Sequence, residues 1–235
     1  MQKIVLAVFA GLALAVNLAA ADVRVNPHLG ELLAQLNLNL PGLAEVKAAA
    51  TPAEQQQALL EYFRNRKNIP ALEAEDTKTL PDGKRDREIA DQALKHIFPG
   101  QRAYPPQPRG EPIDWDTSPF PDKEWLWQFH RFGWWGALGK TYLATKNEAY
   151  AKEWAAEVNS WVEHMHSAKN FRKHTCWRSL EVGIRMLVWP QAFERFIQSP
   201  SVDSYTLVNF LWSLYCHAEQ IDAMYPPKGK EPERV

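Results

Sequence analysis

The amino-acid sequence predicts an all-α fold built from antiparallel helical hairpins, on three observations. Apolar residues recur at helical spacing through most of the chain. No alternating run bounded by an Asn-Gly or Asp-Gly turn competes with them. Long helices follow one another through connections of moderate length, the connectivity of helical hairpins. Such hairpins either stack as a solenoid or curl into a toroid. No repeat of about 34 or 40 residues is present, so a toroid fragment is the expected architecture.

The first element is a leader. Lys3 precedes an apolar run from Ile4 to Val16, and Ala19, Ala20 and Ala21 follow. This is the basic, apolar and small-residue order of a secretory signal peptide over residues 1–21. The run is shorter than the roughly 20 residues of a membrane span, and charged residues interrupt every later apolar stretch. The expected product is an exported, periplasmic chain without a stable membrane anchor, whose helical domain covers residues 22–224.

Within that domain, Thr51-Pro52-Ala53-Glu54 is a capping sequence, followed by Ala58, Leu59, Tyr62 and Phe63 at helical spacing. Ile89, Ala93, Leu94 and Ile97 predict a helix from Asp86 to Phe98, stopped by Pro99-Gly100. The proline-rich stretch from Gly100 to Pro121 is irregular, and Tyr104, Trp115 and Phe120 argue that it is packed. A helix over 122–145 is apolar on more than one face and therefore buried. Asn147 caps the next, in which Tyr150, Trp154, Val158, Trp161 and Met165 form one stripe and Lys152, Glu153, Glu157 and Glu163 lie elsewhere. Helices over 176–197, kinked near Pro190, and over 203–224, with Leu207, Leu211, Leu214, Ala218 and Ile221, complete the domain. Residues 225–235 read as a Pro- and Lys-rich tail.

The formal net charge of −1 excludes a nucleic-acid binder that relies on a long-range field. A 46% hydrophobic and 23% charged composition excludes a disordered chain. Ten Trp point to wide interhelical seams or to exposed stacking surfaces. Cys176 and Cys216 permit one disulfide but no disulfide framework, and the sequence leaves their pairing open.

Arg178, Glu181 and Arg185 fall on one helical face, with Leu180, Ile184 and Leu187 on another. They make either a surface ion-pair ladder or an Arg pair held by a carboxylate and aimed at an anion. Trp127, His130 and Arg131 share one turn, either as a stacking and cationic surface or as a core Trp beside a hydrogen-bonded imidazole. His164 and His166, two residues apart, do not share a helical face, and no carboxylate or thiolate completes a recognisable metal set with them and His174, so no metal is expected. Asp114 and Asp116 could supply paired acids for glycoside hydrolysis, or simply an Asx turn. Phosphate-loop, nucleophile-elbow and dinucleotide motifs are absent, and no cofactor is expected.

Five ordered segments carry a family resemblance: Leu36 to Lys47, Ala58 to Arg64, Ile113 to Asp116, Glu124 to Arg131 and Trp177 to Arg185. Together they resemble the N-terminal domain of heparinase II/III-type polysaccharide lyases, most closely the heparin-sulfate lyases. The resemblance implies the N-terminal part of an incomplete (α/α) toroid, followed in the family by β-sandwich sheets. It further implies β-elimination on a uronate-containing polysaccharide: the carboxylate is neutralised, a base takes the C5 proton, and an acid assists the departing oxygen. His130 stands where the family commonly has Asn. The family's catalytic Asn, Tyr and His have no matching positions in these 235 residues, so no catalytic residue is assigned. The expectation is a truncated or split lyase, weakly active or inactive alone, whose partners are an acidic polysaccharide and a separate chain carrying the remaining toroid and β-sandwich. Trp127, His130, Arg131, Trp177, Arg178, Glu181 and Arg185 are the expected substrate-binding residues. A noncatalytic module binding acidic glycans is the alternative, and a glycoside hydrolase using Asp114, Asp116 or Glu181 the third reading.

Overall fold

A computed structural model describes residues 24–67, 83–167 and 171–226; the expected leader and nearly all of the expected tail lie outside them. The elements are α1 (Leu29–Gln35), α2 (Ala44–Ala48), α3 (Pro52–Asn65), α4 (Lys84–Ala93), β1 (Ile97–Phe98), β2 (Gln107–Pro108), α5 (Lys123–Phe129), α6 (Trp135–Thr145), α7 (Glu148–Ser167), α8 (Ser179–Phe196) and α9 (Ser204–Met224), with 3₁₀ turns at Phe171–Lys173 and Thr175–Trp177. Helices α6 and α7 form one hairpin and α8 and α9 a second; α6 packs on α8, α7 on α9, α4 on α6 and α3 on α9. Among the described residues the all-α expectation holds apart from the two-residue antiparallel pairing of β1 with β2.

Several helices start where their caps predict. Thr51 and Glu54 complete a reciprocal capping box at α3. The Asn147 carboxamide oxygen accepts from the Ala149 N–H at 3.0 Å, and the Asp203 carboxylate accepts from the Thr206 N–H at 2.8 Å. Tyr150, Trp154, Val158, Trp161 and Met165 of α7 are all buried, as their spacing requires.

Four elements differ from expectation. Helix α4 ends at Ala93, because His96 adopts a left-handed backbone (φ 51°) that turns the chain into β1. The single helix expected over 122–145 breaks between α5 and α6, where Phe132 is left-handed (φ 56°). The break lets Phe129, Phe132, Trp134 and Trp135 all enter one core, which a straight helix with apolar residues all round cannot do. Helix α8 begins at Ser179 rather than Cys176, after Arg178 in extended conformation, and contains Pro190. On α9 the buried face is Leu207, Phe210, Ser213, Cys216, His217 and Gln220, so Ala218 is exposed and Ile221 only half-buried.

The Trp residues are core. Trp115, Trp125, Trp134, Trp135, Trp154, Trp161, Trp177 and Trp189 are all buried in the seams between helices, and Trp127 and Trp212 are half-buried. Cys176 and Cys216 are free, buried thiols. No described helix is long and apolar enough to cross a membrane.

Candidate functional site

The expected site residues gather where the end of α5 meets the 3₁₀ turn at Thr175–Trp177 and the start of α8. The Trp127 indole N–H donates to the Thr175 hydroxyl, which fixes its ring as a platform. The Arg178 guanidinium lies 3.5 Å from the centroid of that ring, a cation–π contact that holds a long side chain in one place. Arg178 also faces Glu181 at 3.6 Å. Arg131 donates to Glu181 at 2.9 Å and to Glu124 at 3.2 Å.

Glu181 is fully buried between the two guanidinium groups. The surface ladder expected for Arg178, Glu181 and Arg185 is therefore not present. An Arg pair held by an intervening carboxylate is present, with Arg131 in place of Arg185. Arg178 is 41% exposed at its side chain and Arg131 is 20% exposed, so these two and the half-buried Trp127 are the expected residues that reach solvent.

The other expected residues lie beneath. Arg185 is fully buried among Trp161, Trp177 and Trp189, 5.2, 5.5 and 5.8 Å from their ring centroids. It donates to His217 Nε2 at 2.5 Å and to the His130 carbonyl at 3.0 Å, while its Nη2 has no hydrogen-bond partner. Burial draws its pKa down to about 10 against the opposing influence of Cys176 and Glu181, so it stays cationic at neutral pH. His130 is fully buried. Its Nε2–H donates to the Trp115 carbonyl at 2.9 Å and its Nδ1 accepts from the Trp161 indole at 3.1 Å. Burial, then the nearby Arg185 and His174, hold the imidazole neutral. Trp177 is buried with its indole nitrogen unpartnered. His217 was not singled out by the sequence, since it sits among the apolar residues of α9.

The acids proposed for hydrolysis are otherwise engaged. Asp114 accepts from the backbone N–H groups of Asp116 and Thr117 and from the Thr117 hydroxyl, an Asx turn. Burial opposes its ionisation, yet these bonds together with Arg109 hold its carboxyl below the usual range. Asp116 faces His164 Nε2 at 3.0 Å and His174 Nε2 at 3.4 Å. His174 Nδ1 in turn lies 3.0 Å from Cys176 Sγ. The structure thus brings to His174 the Asp116 carboxylate from a distant loop, beside the thiol of Cys176 two residues on.

With this geometry established, known proteins supply the family. Residues 32–231 match the family model Heparinase II/III N-terminus. The chain belongs to the heparinase II/III N-terminal family. It is 33% identical to the heparin-sulfate lyase of Bacteroides stercoris over 85% of this chain and 33% of that protein. It is 31% identical to the heparin-sulfate lyase of Pedobacter heparinus over 83% of this chain and 31% of that protein. Among solved structures, the heparan sulfate lyase HepC of Pedobacter heparinus superposes with a TM-score of 0.74 at 31% identity, covering 85% of this chain and 33% of that one. A crystal structure of heparinase III superposes with a TM-score of 0.73 at 26% identity, covering 88% of this chain and 33% of that one. The chain thus spans about a third of the length of the curated relatives it matches. As a member of this family its hairpins are the N-terminal part of an (α/α) toroid.

Proposed function

We propose that this heparinase II/III-family chain is the glycan-holding, N-terminal part of an exported lyase that cleaves uronate-containing, heparan-sulfate-like polysaccharide by β-elimination, with little or no activity alone. The observation that carries the reading is the pair Arg131 and Arg178, gripped by the buried Glu181 and braced on the Trp127 face. Guanidinium forks match carboxylates and sulfates bidentately, and an aromatic face beside them suits a sugar ring. Arg185, His130 and Trp177 form the floor that keeps this wall in place.

A groove of about 600 Å³ between α8 and α9, lined by Leu180, Ile184, Leu187, Ile221 and Tyr225, supports a seat for further polypeptide completing the toroid. Leu180 and Leu187 are 53% and 72% exposed there. A second reading, a noncatalytic module that binds acidic glycans, rests on the same wall of Arg131, Arg178 and Trp127, while the engagement of Asp114, Asp116 and Glu181 in structural contacts counts against a hydrolase. Product analysis after incubation with heparan sulfate, with and without polypeptide supplying the rest of a relative's length, separates these readings. The lyase reading expects any new chain end to carry an unsaturated uronate, and elimination to rise sharply on completion. Binding without cleavage in both samples supports the module, and saturated reducing ends overturn both.

A further inference from the structure

The floor of the site contains a second chemistry that glycan binding does not use. One ligand atom each from His130, His174 and Cys176 lies within 4.8 Å of the other two. Met165, in the last turn of α7, places its thioether sulfur 3.6 Å from Cys176 Sγ. We propose that His130, His174, Cys176 and Met165 form a binding site for a single monovalent copper ion.

The orientation of both imidazoles supports the assignment. His174 directs Nδ1 at the Cys176 sulfur, 3.0 Å away, and Nε2 at the Asp116 carboxylate at 3.4 Å. The Cys176 backbone N–H, 3.2 Å from the same Nδ1, makes it the acceptor nitrogen and leaves the proton on Nε2. His130 donates its Nε2–H to the Trp115 carbonyl at 2.9 Å, which leaves Nδ1 with the lone pair. An outer carboxylate or carbonyl that fixes the tautomer of a ligating His is the usual companion of a metal site.

Ligand atoms sharing one ion at about 2.0–2.3 Å lie about 3.5 Å apart. The His174–Cys176 and Cys176–Met165 separations already approach that spacing, so His130 makes the main inward movement, exchanging its bond from the Trp161 indole for the metal. Asp116 and His174, 53% and 27% exposed at their side chains, provide the path inward.

The donor set and the surrounding charge select the ion. Thiolate, thioether and imidazole are soft or borderline ligands suited to cuprous copper. Arg185, buried beside them, has no carboxylate among its hydrogen-bond partners. On binding, the S–Cu bond replaces the Cys176 S–H bond and the proton leaves to solvent, so a monovalent ion adds no net charge next to that guanidinium. A divalent ion adds one, which the buried site resists.

The test is competition for cuprous ion between the full chain, purified metal-free and kept anaerobic, and a bathocuproine-type chelator, with X-ray absorption reading the donors. The wild-type chain is expected to retain one Cu(I) on mixed sulfur and nitrogen ligands. Cys176→Ser should weaken retention by about a hundredfold and Met165→Leu by about tenfold, while Cys216→Ser, outside the cluster, leaves it unchanged. Loss of all Cu(I) from a wild-type chain shown to be folded by circular dichroism overturns the proposal. So does equal retention by Cys176→Ser, dependence on Cys216, or preference for Zn(II) over Cu(I).

Discussion

At the scale of single residues, Glu157 shows how the fold uses a charge that the sequence assigned elsewhere. The sequence sets it apart from the apolar stripe of α7 with Lys152, Glu153 and Glu163, whereas the structure buries it fully beside that stripe. The deciding partners are the Trp134 and Trp135 indoles, which donate to it at 2.8 and 2.6 Å from another helix and its cap. Burial, then the neighbouring Glu153, raise its carboxyl well above the usual range, so the folded chain holds a proton that the unfolded chain releases. The stabilising contribution is complete below the ordinary carboxylate pKa and declines as pH rises toward Glu157's own. Glu157→Gln keeps the acceptor and removes the titration. Its stability relative to wild type, read by urea denaturation from pH 5 to 8, is expected to grow with pH, and parallel curves would contradict the assignment. Glu157→Ala strands two buried indole N–H groups and is expected to lose about 2–4 kcal/mol.

The same contrast governs the site. Arg178 and Glu181 were legible as a pair because they are three residues apart. The exchange of Arg185 for Arg131 was not, because Arg131 reaches Glu181 across 50 positions of sequence. His174 looked unsuited to a metal for the same reason: Asp116 comes from a distant loop, and Met165 from the preceding helix.

At the scale of elements, local signals located helix starts and failed at reversals. The capping box at Thr51 and the side-chain caps at Asn147 and Asp203 are contained in a few residues each, and all three form. Thr51→Ala is expected to lower stability by about 1 kcal/mol by removing the acceptor for Glu54 N–H, measured as a shift of the urea midpoint at constant slope. The break between α5 and α6 has no such local mark. Phe132 accepts a left-handed backbone because its ring packs against Trp134, Trp135, Trp161 and Trp189, contacts that exist only once the hairpins have closed. The same rule orients α8: Leu180 and Leu187, on the face away from Glu181, are 53% and 72% exposed, whereas Glu181 and Arg185 occupy the interior because each has partners there.

For the whole molecule, buried neutral imidazoles set the acid limit of stability. Burial and the positive charge of Arg185 hold His130 and His217 well below the ordinary pKa of 6.5, and burial takes His166 to about 3. A depressed His is neutral in the folded chain while the unfolded chain takes up a proton, so stability falls as pH drops below 6.5. The loss reaches up to about 1.4 kcal/mol per pH unit for each of His130 and His217. Denaturation at pH 7 and pH 5 is expected to show that decline, and equal stability would contradict it. The open groove beside α8 makes a second molecular prediction. Leu187→Glu should reduce concentration-dependent association in sedimentation while changing stability by no more than about 0.5 kcal/mol.

Arg178, stacked on Trp127 and held by Glu181, is expected to grip an acidic sugar chain. Titration of a heparan sulfate oligosaccharide into the wild-type chain and into Arg178→Ala, each at low and high salt, tests it most directly. The wild type is expected to bind with an affinity that falls as salt rises, and the variant, folded by circular dichroism, to bind about tenfold more weakly with a shallower salt dependence. Equal affinity and equal salt dependence in the two proteins would return Arg178 to a purely structural role.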